Sequence, residues 1–216
     1  MLISYAFVSA VVGAAELAQR RFSVSSYVTR KLVHAAVGTW VLPTIFLFDS
    51  WAWAIAPPLT FLVVNAAAMR RGAFRSIEGD GCRNYGPLFF PIAFAIVLPL
   101  YWDDHLKFAA ATGILCMAWG DPLASAFGRA FGRRRFAIMG STKSLEGCAA
   151  MFLGSFLAAA FAAGVTADFG PQGVALVAVA SAAAATVAEA LSFWGADDLT
   201  IPLAASAVAA AVGGAL

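Results

Sequence analysis

The sequence predicts an all-α, polytopic membrane protein with about seven or eight transmembrane helices in one bundle. Three observations lead to this fold class. Hydrophobic residues make up 62% of the 216 residues. Charged residues make up only 12%, whereas a soluble globular domain carries about 25%. The apolar residues also fall into runs long enough to cross ~30 Å of hydrocarbon as helices.

The apolar runs give the expected order of the helices. Eight runs can be distinguished, or seven if one of them lies at the membrane interface. They use nearly the whole chain, so residues 1–216 are expected to form a single integral-membrane domain with no separate soluble part. The expected spans are residues 2–18, 32–48, 51–69, 87–102, 106–119, 148–167, 172–190 and 199–216.

The basic residues predict the orientation of the helices. They cluster in the expected loops between helices one and two, three and four, and five and six, and only Lys107 lies elsewhere. By the positive-inside rule these three loops face the cytoplasm of a bacterial cell, with the chain in the inner membrane and both termini outside. The clustered residues are Arg20, Arg21, Arg30, Lys31, Arg70, Arg71, Arg75, Arg83, Arg129, Arg133, Arg134, Arg135 and Lys143.

The longest polar stretch, residues 119–147, begins with small residues and one acid on a single helical face. The small residues recur at steps of three or four from Gly120 through Gly128 to Gly132. The glycines alone are explained by a packing seam between helices. A seam does not explain Asp121, because an acid at the end of an apolar helix needs a cation or a donor to compensate its desolvation. Hard cations bind carboxylate oxygens, so we interpret Asp121 as a magnesium ligand.

The same stretch ends in a second motif, GSTKSLEG, at residues 140–147. Glycine and hydroxyl residues surround Lys143 directly before an expected helix. A phosphate could bind here to the N–H groups of the protein backbone, to a positive charge and to a helix N-terminus. The spacing is not that of a P-loop, and no strand is predicted before it. Glu146 fits a helix-capping acid and a catalytic or metal-binding acid equally well.

The motif RKLVHAAVG, residues 30–38, places a cation and an imidazole on one side of a helix. Arg30, His34 and Gly38 are spaced by four residues, and the glycine allows another group to approach closely. A single histidine near a helix end is usually interfacial. One that shares a face with two cations fits a phosphate ligand or a general base better.

Residues 78–91, EGDGCRNYGPLFFP, predict a turn into the fourth helix because they combine glycine and proline. Tyr85 fits an aromatic residue at the level of the lipid headgroups. On composition alone this segment carries no chemistry.

Residues 189–202, EALSFWGADDLTIP, gather three acids on the basic side of the membrane. Glu189 and Ser192 share a helical face, while Asp197 and Asp198 begin the next helix, where acids interact favourably with the helix dipole. Helix capping accounts for one aspartate only. The remaining acids predict a second metal site or a site for a substrate hydroxyl.

Taken together, these motifs resemble the CTP-dependent membrane lipid kinases. This family includes dolichol kinase, phytol kinase and the yeast-type diacylglycerol kinase, and it is related to the phosphatidate cytidylyltransferases. The resemblance spans nearly the whole chain in the same order. It is carried by RKLVH…G at 30–38, NYGPLFFP at 84–91, GDPLASAFGRAFG at 120–132, KSLEG at 143–147 and EALS..G.DDLTIP at 189–202.

The resemblance implies transfer of a phosphoryl group from a nucleoside triphosphate, typically CTP, to the hydroxyl of a lipid alcohol. It also implies a divalent cation, Mg²⁺ or Mn²⁺. By the same resemblance, Asp121, Lys143, His34 and Glu189 are catalytic. The nucleotide site would comprise Arg30, Lys31, Gly120, Gly128, Gly132, Ser144, Glu146 and Gly147. The metal ligands would be Asp121, Glu146 and Asp197, and the substrate contacts Ser192 and Asp198.

Three positions depart from the family pattern. Asp198 stands where asparagine is expected, Cys148 where serine is common, and Arg135 where lysine is frequent. Asp198 adds a negative charge near the expected metal. The identity of the phosphate donor, whether CTP, UTP or ATP, therefore follows less directly from the sequence than the type of reaction does.

The residues leave two other functions open. A cytidylyltransferase would also use CTP and a metal, but it would attach CMP to a lipid phosphate. A small transporter or scaffold would use the glycines for packing and the basic loops for topology, but it leaves the acids on one side unexplained. The expected partners are a lipid alcohol, a nucleoside triphosphate and membrane lipids, without nucleic acid. Neither the particular alcohol nor the oligomeric state follows from the sequence.

Overall fold

The computed structural model describes residues 1–71 and 85–216, which form a helical bundle with one small β-hairpin. The all-α fold class is therefore confirmed. Residues 72–84, which include Arg75, Arg83 and most of the predicted turn before the fourth helix, lie outside the described part of the chain. The described helices are α1 (Leu2–Phe22), α2 (Ser26–Thr39), α3 (Val41–Leu47), α4 (Trp51–Ala54), α5 (Ala56–Arg70), α6 (Gly86–Leu100), α7 (Lys107–Leu115), α8 (Asp121–Phe131), α9 (Leu145–Thr166), α10 (Pro171–Leu191) and α11 (Asp197–Gly213).

Several of these helices are long and apolar enough to cross a membrane. Among the described residues four qualify by length and composition, and the pair α4 and α5 counts as one of them. The expected span 32–48 is instead divided at Trp40 into α2 and α3. The number of crossings, expected to be seven or eight, therefore stays a prediction. The four long spans are Leu2–Phe22, Trp51–Arg70, Leu145–Thr166 and Pro171–Leu191.

The expected fifth span does not end at residue 119. After α7 the chain passes through a π-helical turn, Cys116–Gly120, and continues directly into α8. Pro122 lies in the first turn of α8 and removes one backbone N–H donor at the junction with the π-helical turn. The π-helical turn is tied to α2, since the indole Nε1 of Trp119 donates to Thr39 Oγ1 at 2.9 Å. Single π turns are frequently found at functional sites.

The segment after α8 is a β-hairpin and not the loop that the sequence predicted. Strand β1 (Arg135–Ile138) pairs antiparallel with β2 (Ser141–Ser144). The two connecting residues, Met139 and Gly140, have φ values of 48° and 79°. Two consecutive positive φ angles are typical of the tight turn whose twist matches that of a hairpin. The expectation that no strand precedes the lysine motif was therefore wrong.

Small residues allow α8 to run antiparallel and close to α9. A Cβ atom on Gly120 would overlap Ser155 and Met151 of α9. At the other end of this contact, a Cβ on Gly147 would lie 3.2 Å from the backbone oxygen of Ala124 and 3.4 Å from the Cα of Gly128. This is the small-residue packing expected between membrane helices.

The two ends of the bundle differ in chemistry. At one end the start of α7, the α9–α10 connection and the end of α11 meet in an apolar contact, with the rings of Phe108 and Phe169 5.0 Å apart. A Cβ on Gly213 would overlap Phe108 at this end. At the opposite end, the Tyr85 N–H before α6 donates to the Trp194 carbonyl after α10 at 2.9 Å. The motif residues lie at this second end.

Candidate active site

A cluster of charged side chains forms where α2, α8 and α11 meet. Lys31 Nζ lies 2.5 Å from Asp121 Oδ2, so these residues form an ion pair. His34 lies between two carboxylates, with Nε2 3.9 Å from Asp121 Oδ2 and Nδ1 3.6 Å from Asp198 Oδ1. The side chains of His34, Asp121 and Asp198 are 10%, 4% and 9% exposed, so water is largely excluded from the cluster.

The local sequence explains why α2 reaches this position. Lys31 and His34 are three residues apart and therefore lie on the same side of α2. Gly38, one turn further on, packs directly against the π-helical turn, and a Cβ there would overlap the Cβ of Ala118. The ring of Phe90 from α6 meets the imidazole of His34 edge-on, with centroids 4.8 Å apart. The motif of residues 30–38 and the phenylalanine of the 84–91 motif are thus in contact.

One nitrogen of His34 has no hydrogen-bond partner among the described residues. Nε2 is fully buried, and within residues 1–71 and 85–216 no donor or acceptor satisfies it. Asp121 is better satisfied, because its second oxygen, Oδ1, accepts from Ser125 Oγ at 3.3 Å. Ligand atoms of His34, Asp121 and Asp198 all lie within 4.8 Å of one another, close enough to share one metal ion. A buried polar atom without a partner needs an explanation, and a substrate or an ion would provide one.

A polar cavity of about 540 Å³ opens on one side of the cluster. The hairpin, α8 and the end of α10 form its walls. Lys143 of β2 forms an ion pair with Glu189 of α10, and both side chains are mostly buried. At the rim, the guanidinium of Arg129 lies over the ring of Tyr27, 3.6 Å from its centroid. The lining residues also include Ser125, Gly128, Arg135, Ser141, Thr142, Ser144, Gly147, Cys148, Ser192 and Asp197.

An apolar groove of about 440 Å³ lies on the other side of the cluster, between α1, α2, α5 and α6. His34 and Asp198 form part of its wall, together with Arg30 and Asn65. Asn65 also joins α5 to α6, because its amide donates to the Pro87 carbonyl at 2.8 Å. The apolar lining includes Val8, Val12, Val33, Val37, Trp40, Phe61, Phe90 and Phe94.

The two adjacent aspartates face different cavities. Asp197 lines the polar cavity, whereas Asp198 lines the apolar groove. Successive residues of a helix are about 100° apart around the helix axis, since there are 3.6 residues per turn. The start of α11 therefore lies between the two cavities and presents one carboxylate to each.

The structure brings most of the predicted site residues together at this end of the bundle. Lys31, His34, Asp121 and Asp198 form the cluster. Arg30 lies on the groove side. The residues on the cavity side are Gly128, Lys143, Ser144, Gly147, Glu189, Ser192 and Asp197.

Three predicted residues lie apart from the cluster. The carboxylate of Glu146 accepts from the backbone N–H of Arg134 at 3.3 Å, which ties the hairpin to α9, and it does not line either cavity. Gly120 packs against α9, as in the packing seam that the sequence left open. Gly132 packs against Ser144, because a Cβ there would lie 3.0 Å from the Ser144 Cβ.

The start of α9 is not the free phosphate cradle that the motif predicted. The Gly147 N–H donates to Ser144 Oγ at 3.0 Å, and the Leu145 N–H donates to the Arg134 carbonyl at 3.0 Å. Both N–H groups are therefore already satisfied. On the cavity side the hairpin instead presents the side chains of Lys143, Thr142 and Ser141.

Sequence reasoning missed the apolar groove entirely. A signal was present in α1, where Ser4, Val8 and Val12 recur every four residues and line the groove together. A stripe of this kind is usual on any packed helix, so it indicates a groove only after α5 and α6 are placed opposite it.

The chain resembles one characterised protein along nearly its full length. It is 36% identical over 205 residues to the phytol kinase of Synechocystis sp., and the alignment covers 94% of this chain and 87% of that kinase. The chain belongs to the phytol kinase family. No family model matches it. No solved structure matches it either.

Membership of the phytol kinase family makes this chain a membrane-embedded lipid kinase and disfavours the transporter or scaffold alternative. The geometry agrees with that activity. A lipid kinase must bring a water-soluble, highly charged donor to an acceptor dissolved in the bilayer. In this phytol kinase family member, one cluster of His34 and carboxylates adjoins both an apolar groove, which His34 and Asp198 line, and a polar cavity, which Ser125 beside Asp121 lines.

Proposed function

We propose that this chain transfers the γ-phosphoryl group of CTP to the hydroxyl of a membrane-dissolved prenyl alcohol such as phytol, with Mg²⁺ or Mn²⁺, at the cytoplasmic surface. The observation that carries the proposal is that one cluster touches both cavities: His34 and Asp198 line the apolar groove, and Ser125, which donates to Asp121, lines the polar cavity. The relative of known activity is named for the same reaction class. Phosphoryl transfer requires mainly positioning and charge stabilisation, and both are available here.

The donor occupies the polar cavity in this proposal. Lys143 and the cavity arginines, Arg129 and Arg135, supply positive charge for the phosphates. Thr142 adds a hydroxyl group on the same strand. Lys143 is already held by Glu189, so its ammonium group is positioned before the nucleotide binds. Lys31 brings a further positive charge to the cluster through its contact with Asp121.

The acceptor occupies the apolar groove, with its hydroxyl at His34. Asp198 beside Nδ1 stabilises the tautomer that carries the proton on that nitrogen. Nε2, which has no partner within the described residues, then accepts the hydroxyl proton as the alcohol oxygen attacks the γ-phosphorus. The bond between that phosphorus and the β–γ bridging oxygen breaks, and CDP leaves with the electron pair.

The residues fit a divalent cation on the cavity side. Asp197 on the cavity side and Asp121 in the adjoining cluster offer carboxylate oxygens, which are the ligands that Mg²⁺ and Mn²⁺ prefer. A cation held by these carboxylates would offset the repulsion between their negative charges. The cation would supply charge neutralisation at the phosphate oxygens. Glu146 is left out of this set, because its carboxylate is bonded to the hairpin backbone.

The proposal is tested with purified protein, γ-labelled CTP, Mg²⁺ and phytol, comparing wild type with Asp121→Asn. We expect label in the lipid with wild type and at least a hundredfold lower rate with Asp121→Asn, because one carboxylate of the cluster loses its charge. Asp104→Asn is the matched control, since this aspartate is exposed and pairs with Lys107 away from the cluster. It should keep the wild-type rate.

Other labels distinguish the alternatives. Label that enters the lipid from α-labelled CTP would indicate cytidylyl transfer and would contradict the kinase proposal. Competition by unlabelled UTP and ATP identifies the preferred donor. Chelation with EDTA should abolish transfer, and addition of Mg²⁺ or Mn²⁺ should restore it. An equal rate for Asp121→Asn and Asp104→Asn would remove the cluster from the mechanism.

A further inference from the structure

The apolar groove is lined by buried residues at the end away from His34, which we call the closed end. On α1, the groove residues Ser4, Val8 and Val12 are 3%, 8% and 48% exposed. The side of the groove therefore becomes more enclosed toward the N-terminus of α1. Thr44 of α3 and Ala54 of α4 line the same groove and are 5% and 2% exposed.

The closed end is built rigidly. The indole of Trp40 stacks on the ring of Phe7, with centroids 4.1 Å apart and an interplanar angle of 15°. Its Nε1 donates to Ser4 Oγ at 3.0 Å. Thr44 Oγ1 donates to the Trp40 carbonyl at 2.8 Å, so this hydroxyl is satisfied within the helix. Contacts from α1 thus fix the Trp40 side chain at the break between α2 and α3.

The groove has a definite depth. His34 and Thr44 are ten residues apart along α2 and α3, which corresponds to about 15 Å at the rise of an α-helix. This is roughly half of the ~30 Å hydrocarbon thickness of a bilayer. The groove therefore extends about one lipid leaflet away from the cluster, which is deep enough to hold most of one hydrocarbon tail.

We infer that the closed end of this groove limits the tail length of the acceptor alcohol. Ala54 and Trp40 set the longest tail that an alcohol can have and still be phosphorylated. The inference rests on the proposed function, because it takes the groove as the acceptor site. Its occupant is the single apolar tail of an alcohol whose hydroxyl lies at His34.

The fit of the tail in the groove, rather than the hydrophobicity of the tail, accounts for the selection among alcohols. A tail gains little by leaving the lipid chains for an equally apolar groove. A tail longer than the groove meets the rigid end and pushes its own hydroxyl away from His34. A displacement of about 1 Å at the reacting atoms can lower the rate about a hundredfold. Alcohols shorter than the limit keep their hydroxyl in place.

Ala54→Leu tests the inference, because it enlarges a side chain at the closed end. Ala52→Leu is the matched control, since Ala52 is exposed on the same short helix and does not line the groove. kcat/KM is measured for geraniol, farnesol, phytol and geranylgeraniol with all proteins. For Ala54→Leu we expect kcat/KM for phytol and geranylgeraniol to fall about tenfold or more relative to farnesol. Ala52→Leu should keep the wild-type ratios.

A second variant tests the opposite direction. Trp40→Phe shortens the side chain at the closed end and keeps an aromatic ring against Phe7, so kcat/KM for longer polyprenols should rise relative to phytol and geranylgeraniol. Thermal unfolding in detergent establishes that both variants are folded. Unchanged length ratios in Ala54→Leu and Trp40→Phe, or equal losses for all alcohols, would overturn the inference while the proposed function stands. Failure of the wild type to phosphorylate any alcohol would instead overturn the proposed function.

Discussion

The charged side chains of the site occur in pairs that join distant parts of the sequence. Lys31 meets Asp121 across 90 residues, and Lys143 meets Glu189 across 46 residues. Both pairs are largely buried. Removal of one partner from such a pair leaves an uncompensated charge, which typically costs about 3–5 kcal/mol. A single substitution in either pair therefore changes stability as well as chemistry, so its test needs a partner variant.

For the second pair, we expect Lys143→Met to lower kcat/KM for CTP about a hundredfold, because a positive charge beside the phosphates is lost. The double variant Lys143→Glu with Glu189→Lys keeps a pair of opposite charges and reverses its orientation. It should recover thermal stability but not activity. The measurements are steady-state kinetics with varied CTP and thermal unfolding. Recovery of activity in the double variant would show that the pair is only structural.

At the level of the elements, the site depends on close contact between α2 and the π-helical turn before α8. Gly38 faces Ala118, and Asp121 follows three residues later. Trp119 on the same turn donates to Thr39 of α2. The contact fixes the position of α2, and thereby brings Lys31 and His34 to Asp121.

We expect Gly38→Ala to destabilise the protein by about 1–3 kcal/mol, because its new methyl group overlaps that of Ala118 and drives the two elements apart. Activity should fall as well, since His34 moves away from Asp121. Thermal unfolding and lipid labelling measure the two effects. The swap Gly38→Ala with Ala118→Gly should restore both, because the next side-chain atom near the new methyl, Phe90 Cε2, is 3.9 Å away.

Gly13→Ala provides the comparison for this prediction. Gly13 lies within α1, and a Cβ atom there would meet no neighbouring group within 4 Å among the described residues. Alanine at this position should therefore be neutral or slightly stabilising. A loss of stability equal to that of Gly38→Ala would mean that the α2 contact has no special role.

At the level of the whole molecule, the polar chemistry lies at one end of the bundle and an apolar contact at the other. The cluster, the hairpin and the connection after α10 are at the first end. Phe108, Phe169 and Gly213 meet at the second. This separation of a polar end from an apolar end agrees with the alternating helix directions expected from the basic loops. Which end faces the cytoplasm is a prediction from the positive-inside rule.

Cysteine labelling in cells tests this orientation. In a variant without the native cysteines, Arg133→Cys at the first end should react with a membrane-impermeant maleimide only after permeabilisation. His105→Cys, in the short connection before α7, should react in intact cells. Both positions are exposed, so a difference in reaction reports on the side of the membrane. The reverse pattern would separate the polar cavity from the cytoplasmic pool of nucleotide and would contradict the proposed topology.

Much of the fold and part of the site could be predicted from local signals. Composition and apolar runs predicted the helical membrane fold, because a bilayer imposes one length and one polarity on every spanning helix. The hairpin was missed, because the tight Met139–Gly140 turn is a short signal within a polar stretch. Glu146 was ambiguous, because a capping acid and a ligating acid look alike in sequence until the Arg134 N–H is placed beside it.

The sequence by itself determined the class of protein and its family, because these depend on composition and on short motifs, while the residues that carry its chemistry stay a prediction. Only the tertiary structure decided how the residues are combined. It placed Asp197 and Asp198 in different cavities, joined Lys143 to Glu189 and formed an apolar groove in which motif residues of α2 and α6 meet α1 and α5, which carry no motif. These arrangements depend on contacts between helices far apart in the chain, and such contacts follow from packing geometry rather than from local residue patterns.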